Sequence, residues 1–157
     1  MTVETSTSPD ALPTDGWGSS AMVYALVEGL AGIVEKHKLF QNVLVSPRWL
    51  AAGRNEAKVC TVYGASGASF EYSYAHDEAK RTFELELRGN ASVNLHLLLP
   101  RGMKTVQVDV NGKKTKHFNT KVENSSYVDA SFVLEKEALV RITYVPARPQ
   151  RHEGKMR

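Results

Sequence analysis

Two short stretches of the sequence combine an aromatic ring with polar side chains, as a sugar-binding site does. The first is TDGWGSS, which places Asp15, Trp17 and Ser19 in a glycine-flanked loop before an apolar run. A tryptophan ring can stack on the C–H face of a sugar, and a neighbouring carboxylate can accept hydrogen bonds from its hydroxyls. Asp15, Trp17 and Ser19 are therefore candidate substrate-binding residues. Alternatively, Trp17 is a hydrophobic staple at the start of the helix.

The second stretch is SPRW, which runs from Ser46 to Trp49 at the end of a predicted strand. Arg48 and Trp49 could form a binding pair, or Trp49 could be a packing anchor that clamps a helix to a sheet. We expect the packing anchor, because a large aromatic side chain gains most by leaving water.

A third aromatic set alternates along one predicted strand as Phe70, Tyr72 and Tyr74. On a surface, such a stripe would make the chain a carbohydrate-binding module. Large aromatic side chains at alternate positions normally face inward, so we expect the stripe to lie in the core.

The sequence offers little to other kinds of site. Its five histidines form no HxH or HxxxH pair, so we predict no metal site. It contains neither a glycine-rich phosphate loop nor a GxSxG elbow. Glu84 and Glu86 share one face of a strand, whereas the carboxylates of a glycosidase flank a pocket. Cys60 lies in a strand-like run, and we expect it to be a small buried hydrophobe. We predict no catalytic residue and no cofactor.

Charge and composition limit the class of partner. The net charge of +3 resides in residues 148–157, which contain four basic residues and one acidic residue. The remainder of the chain therefore has no net charge. A neutral body argues against a nucleic-acid groove. We predict disordered tails at residues 1–15 and 147–157. The first tail lacks the features of a signal peptide, and the apolar run is too short and interrupted to cross a membrane, which together predict a cytoplasmic protein.

The elements that would position these residues follow from the hydrophobic period. Apolar residues recur at helical spacing from Met22 to Val34, which predicts one long apolar helix within residues 16–38. A helix that is apolar nearly all round needs neighbours on most sides. We therefore expect it to dock on another domain or on a second copy of the chain.

From residue 39 to residue 146 the period changes to two. Seven to nine short strands separated by turn signals predict an antiparallel β-sandwich, so the fold class is mainly β, preceded by one α-helix. Asn111-Gly112 predicts a tight hairpin, because both residues tolerate positive φ.

The order of these features resembles the C-terminal end of the six-hairpin glycoside hydrolases, and of the α-L-rhamnosidase type in particular. An apolar helix containing EGLAGI is followed by a strand ending in SPRW and by strands that include NLHLLLP and VDVNG. The resemblance covers residues 16–145. It implies a final helix of an (α/α)6 catalytic barrel followed by a β-sandwich domain.

The resemblance implies a role in carbohydrate metabolism that the chain does not perform alone. The barrel and its catalytic carboxylates are absent from this sequence, so we expect a non-catalytic accessory domain that supports or docks a barrel. Asp15, Trp17 and Ser19 would then lie at the barrel mouth and contact the glycan. The alternatives are a free-standing carbohydrate-binding module and a structural, partner-binding protein. No nucleic acid or membrane is expected among the partners.

Overall fold

The computed structural model describes residues 16–147, which form an N-terminal helical segment and nine strands, with a short 3-10 helix at Lys38–Phe40 between the first two strands. The predicted tails, apart from Ala147, lie outside the described residues. The helix α1 spans Gly16–Tyr24 and continues as a π-helical turn over Ala25–Leu30. The strands are β1 Ile33–His37, β2 Asn42–Val45, β3 Glu56–Val62, β4 Ser69–Asp77, β5 Thr82–Leu98, β6 Met103–Val110, β7 Lys113–Lys114, β8 His117–Val122 and β9 Ser125–Pro146.

The helix is shorter than the sequence predicted, which is a correction to the expected helix over residues 16–38. It ends at Leu30, and Ile33–His37 form β1 instead. The break occurs at Gly32, whose φ of +68° cannot continue a right-handed helix. The β-branched residues Ile33 and Val34 that follow favour the extended conformation. No helix among residues 16–147 has both the length and the apolar character that a membrane crossing needs.

The mainly β fold class is confirmed, but two separate antiparallel sheets are not. All nine strands belong to one mixed sheet with the path β1-β2-β5-β9-β6-β7, to which β4 and β3 attach beside β5 and β8 attaches beside β9. The β2–β5 pair is parallel, with Val43 opposite Val93, and the other pairs are antiparallel.

The two central strands are much longer than the sequence predicted. β5 joins two predicted strands across Gly89, and β9 joins two others across Lys136. Gly89 and Lys136 are partners in the sheet, and their φ angles are +148° and +69°. Glycine and charged residues are typical of turns, which explains the predicted breaks. The alternation continues in phase on both sides of these positions, so the same face of each strand is buried before and after them.

The core lies on that face. The N-terminal half of β5 pairs with β4 and its C-terminal half pairs with β2, both on the edge opposite β9. The rings of Phe40 and Phe70 approach to 6.3 Å between centroids, so the β1–β2 end of the sheet contacts the β3–β4 end. The predicted hairpin is confirmed, because Asn111 and Gly112 both have positive φ between β6 and β7.

Candidate functional site

The predicted substrate-binding residues stand at the limit of the described residues. Asp15 lies outside them. Trp17 and Ser19 belong to α1, but their side chains also lie outside what the structure describes. Their contact with a glycan therefore stays a prediction.

The helix exposes large apolar side chains. Val23, Tyr24 and Leu26 are 60%, 64% and 55% exposed. Val27, one residue further, packs against the core. The helical segment thus contacts the sheet near its C-terminal end, and the part of it from Val23 to Leu26 presents apolar side chains to solvent. Fully burying a side chain of this kind from water is worth about 1.5–3 kcal/mol, so covering the exposed part of each is worth a fraction of that. We refer to Val23, Tyr24 and Leu26 as the helix surface.

The SPRW loop holds the end of the helical segment to the sheet. The indole Nε1 of Trp49 donates to the hydroxyl of Tyr72 at 2.8 Å, and that hydroxyl donates to the carbonyl of Ala31 at 2.6 Å. Burial raises the pKa of the Tyr72 hydroxyl, which keeps it a donor. Trp49 is partly buried against the core, so the predicted packing anchor is confirmed.

Two backbone hydrogen bonds complete this clamp. The N–H of Ser46 donates to the carbonyl of Gly32 at 2.8 Å, and the N–H of Arg48 donates to the carbonyl of Leu30 at 3.0 Å. The Arg48 side chain is exposed. The chain therefore leaves the helical segment at a fixed angle, and the orientation of the helix surface is set by main-chain contacts.

The aromatic stripe is part of the core, as the sequence predicted. Phe70, Tyr72 and Tyr74 are at most 2% exposed. A carbohydrate-binding module that uses these rings is therefore excluded, because no ligand can reach them in the folded domain.

The predicted environment of Cys60 is wrong, since its side chain is exposed. In β3 the residues facing the core are Ala57, Val59 and Thr61, which places Cys60 on the opposite face. Composition alone suggested burial, but the phase of the strand decides which face a residue takes.

The carboxylates on the strands are engaged in surface contacts. Glu84 receives hydrogen bonds from the guanidinium of Arg141, and Glu86 lies 3.5 Å from the hydroxyl of Ser73. Within residues 16–147 no group of three His, Cys, Asp or Glu side chains could hold a metal ion.

A buried histidine escaped the sequence analysis. His76 is 8% exposed, stacks on Phe83 with 4.3 Å between ring centroids, and its Nε2 lies 2.8 Å from the Tyr144 hydroxyl. Burial lowers the pKa of His76, while the carboxylates of Glu78 and Asp77 act in the opposite direction. The signal was present, because His76 continues the inward face of Phe70, Tyr72 and Tyr74 at period two.

A second missed contact joins β1 to the β3–β4 loop. The Tyr63 hydroxyl donates to the carboxylate of Glu35, which also accepts from the backbone N–H of Phe40 at 3.0 Å. These hydrogen bonds lower the pKa of Glu35, and the same pairing raises the pKa of Tyr63. The Tyr63 ring stacks on Phe40 at 4.9 Å. Leu39 and Phe40 both have φ of +57° there, which no sequence motif announced.

A third cluster lies on the face of the sheet opposite the core. His96 Nδ1 lies 2.5 Å from Asp129 Oδ1, Thr120 donates its hydroxyl to Asp129 Oδ2, and Tyr127 stacks on the imidazole. These residues come from three strands, and their spacing along the sequence gave no sign that they meet.

Comparison with known proteins places the fold. No protein-family model matches the sequence, and no curated protein matches it. Among solved structures, the fold is similar to part of an α-L-rhamnosidase from Dictyoglumus thermophilum, with a TM-score of 0.52 and 12% sequence identity. The match covers 85% of this chain and 15% of that chain, so the domain corresponds to a small part of the longer protein. The likeness to an α-L-rhamnosidase that the sequence predicted is confirmed at the level of the fold.

Proposed function

We propose that the chain is a non-catalytic accessory domain of a glycoside hydrolase, a C-terminal β-sandwich that docks on an (α/α)6 catalytic barrel. The observation that carries the proposal is the fold match to an α-L-rhamnosidase. It covers most of this chain but a small fraction of that enzyme. A domain of this kind supports catalysis by holding another domain and needs no acid or base of its own.

The architecture supports the sandwich part of this proposal. Each half of β5 carries its own neighbours on the same edge, β4 on one half and β2 on the other. Folding these halves face to face about Gly89 and Lys136 would enclose the single buried face. The contacts of Phe40 with Phe70 and of Ala31 with Tyr72 are of the kind such closure requires.

The helix surface supports the docking part. Val23, Tyr24 and Leu26 lie together on a short helix that the sheet does not cover. An exposed apolar group of this kind usually marks an interaction site. Apolar helices pack on apolar helices by fitting side-chain ridges into grooves, so an α/α barrel is a fitting partner.

In this arrangement the first residues of α1 and Asp15 before them would face the barrel. Asp15, Trp17 and Ser19 would then contact the glycan at the barrel mouth, with the indole stacking on the sugar and the carboxylate accepting hydroxyl protons. Catalysis would belong to carboxylates of the barrel. We therefore expect the isolated chain to hydrolyse no aryl glycoside.

The proposal is tested by finding and joining the partner. DNA on both sides of the coding sequence is read for a frame that encodes an α/α barrel with paired acidic residues. That barrel is co-expressed with the tagged 157-residue chain. We expect co-purification and a glycosidase activity that the chain lacks alone.

Variants separate docking from nonspecific adhesion. Leu26→Glu places a charge in the helix surface and should weaken co-purification at least tenfold, because an unpaired charge cannot be buried cheaply. Val133→Glu is the matched control, since Val133 is 71% exposed on β9, away from the helix. Equal capture of the Leu26→Glu variant and the wild type, or absence of any such frame, would contradict the proposal.

The alternative of a structural protein that docks on another class of partner predicts a different result. The helix surface would again be required, but the captured protein would carry no glycosidase activity. Self-association of the isolated chain, if it also disappears in Leu26→Glu, would assign the helix surface to a second copy of the chain.

A further inference from the structure

We propose that the face of the sheet opposite the core carries a binding site for a neutral sugar, built from Phe118, Asp129 and His96. This inference rests on the proposed function, because it assigns a glycan contact to the same accessory domain. The site differs from the predicted glycan contacts Asp15, Trp17 and Ser19 and from the helix surface. We refer to it as the outer-face site.

The sheet aligns these side chains in one row. His96 on β5 is the direct partner of Asp129 on β9, and Asp129 is the direct partner of Phe118 on β8. Neighbouring strands lie about 4.8 Å apart, so the row extends over about 10 Å. That length suits a pyranose ring with its hydroxyls. Tyr127 and Thr120 form the next row.

The polar groups of the row are held rigidly. The Asp129 carboxylate binds His96 Nδ1 through one oxygen at 2.5 Å and the Thr120 hydroxyl through the other. The Tyr127 ring stacks on the imidazole with 4.1 Å between centroids and 13° between planes. A site whose side chains are already fixed loses little entropy when a ligand binds.

The same groups keep capacity for a ligand. Each carboxylate oxygen has two lone pairs, so Asp129 can accept further hydrogen bonds from hydroxyls. His96 Nε2 forms no hydrogen bond with any residue of the described range. The side chains of His96 and Asp129 are 29% and 34% exposed, so both can be reached from solvent.

An apolar platform lies at the end of the row. Phe118 is 58% exposed although phenylalanine is normally buried. The Lys116 ammonium lies over one face of its ring, 5.1 Å from the ring centre, and offers a hydrogen-bond donor there. An exposed ring flanked by an acceptor and a donor matches a sugar, which has an apolar C–H face and hydroxyls around it.

Other ligand classes fit less well. A phosphate or another anion would meet the Asp129 carboxylate at the centre of the row. A metal ion would need a third ligand, and no such group of His, Cys, Asp or Glu exists within residues 16–147. A neutral polyol uses the carboxylate as an acceptor and needs no counter-charge.

The test is an NMR titration of the isotope-labelled 157-residue chain with methyl α-L-rhamnoside and, separately, methyl β-D-glucoside. We expect saturable shifts of the amides of β8 and of the adjoining parts of β5 and β9. The dissociation constant should be on the order of 1–10 mM for a single ring. The anion D-glucuronate should bind more weakly than the neutral sugars.

Two variants and one control locate the site. Phe118→Ala should weaken binding about tenfold by removing the platform. Thr120→Val keeps the shape but removes the hydroxyl that holds Asp129, and it should weaken binding several-fold. Val133→Ala removes an exposed apolar side chain of β9 outside the row and should leave binding unchanged.

Three results would overturn the inference: no saturable shift with either sugar, shifts confined to other residues, or unchanged affinity in Phe118→Ala. None of these results tests whether the chain docks on a barrel. Co-purification with the barrel depends on the helix surface, and the variants of the outer-face site leave Leu26 unchanged. If the chain does not co-purify with a barrel but does bind sugar at Phe118, the outer-face site stands and the accessory-domain proposal is refuted.

Discussion

Gly32 is the residue whose replacement most directly tests how the helical segment is fixed to the sheet. Its φ is +68°, a conformation that costs an alanine about 1–2 kcal/mol. A Cβ at this position would also overlap the carbonyl of Ser46 and lie 2.8 Å from the nitrogen of Pro47. Because both are backbone atoms, no side-chain rotation relieves the overlap.

The expected cost of Gly32→Ala follows from these contacts. Moving the loop away breaks the hydrogen bond from the Ser46 N–H to the Gly32 carbonyl, with a net loss of about 0.5–1.5 kcal/mol. Overpacking in a tight site adds about 1–3 kcal/mol. Together with the conformational term, we expect the free energy of unfolding to fall by about 2.5–6.5 kcal/mol.

Gly53→Ala is the matched control, measured by urea denaturation at neutral pH. Gly53 has nearly the same φ, +66°, but a Cβ there has nothing within 4 Å. The free energy of unfolding of Gly53→Ala should therefore fall only by the conformational cost of an alanine at positive φ, about 1–2 kcal/mol. If the two variants lose equal stability, the clamp between Gly32 and Ser46 does not exist as described and the reasoning fails.

Three further predictions concern the clamp, the buried histidine and the cysteine. Trp49→Phe should lower the free energy of unfolding by about 1 kcal/mol, because one hydrogen bond is lost. Tyr72→Phe should lower it by about twice as much, because the Tyr72 hydroxyl makes two hydrogen bonds. Equal losses of the two variants in urea denaturation would contradict the hydrogen-bonded bridge from Trp49 through Tyr72 to Ala31. Burial lowers the pKa of His76 below its ordinary 6.5. Below about pH 6.5 the imidazole is therefore protonated more readily in the unfolded chain than in the native state, and the free energy of unfolding should fall as the pH drops. His76→Phe should make the free energy of unfolding depend less on pH between pH 7 and 5. If the slope against pH is unchanged in this variant, the pH dependence belongs to other groups. Cys60 should react with a thiol reagent in the folded protein about as fast as in urea, whereas slow reaction would show that it is covered.

Local patterns in the sequence were sufficient for most of the strands. The alternation of Phe70, Tyr72 and Tyr74 predicted both the strand and its buried face, because a half-buried strand shows its period directly. Asn111-Gly112 predicted its hairpin because few residues adopt positive φ twice in succession. Trp49 was predicted to be an anchor because a large ring beside a strand end gains most from burial.

The helix and the long strands were predicted less well. Periodic apolar residues continue past Gly32, so the helix was predicted to continue as well. In the structure the chain turns at Gly32, where its carbonyl accepts a hydrogen bond from the N–H of Ser46. Gly89 and the charged residues around Lys136 look like turns when each is considered alone. They lie within continuous strands because they face each other in the sheet, and that pairing joins residues 47 positions apart in the chain.

The sequence by itself determined the class of fold, the identity of most core residues and the likeness to an α-L-rhamnosidase, since all three depend on patterns that local order preserves. The tertiary structure decided that Cys60 is exposed and that Trp49, Tyr72 and Ala31 form one bridge. It also decided that His96, Asp129 and Phe118 share a row. Strand register sets these contacts, and register depends on the packing of the whole sheet, which no short stretch of sequence contains.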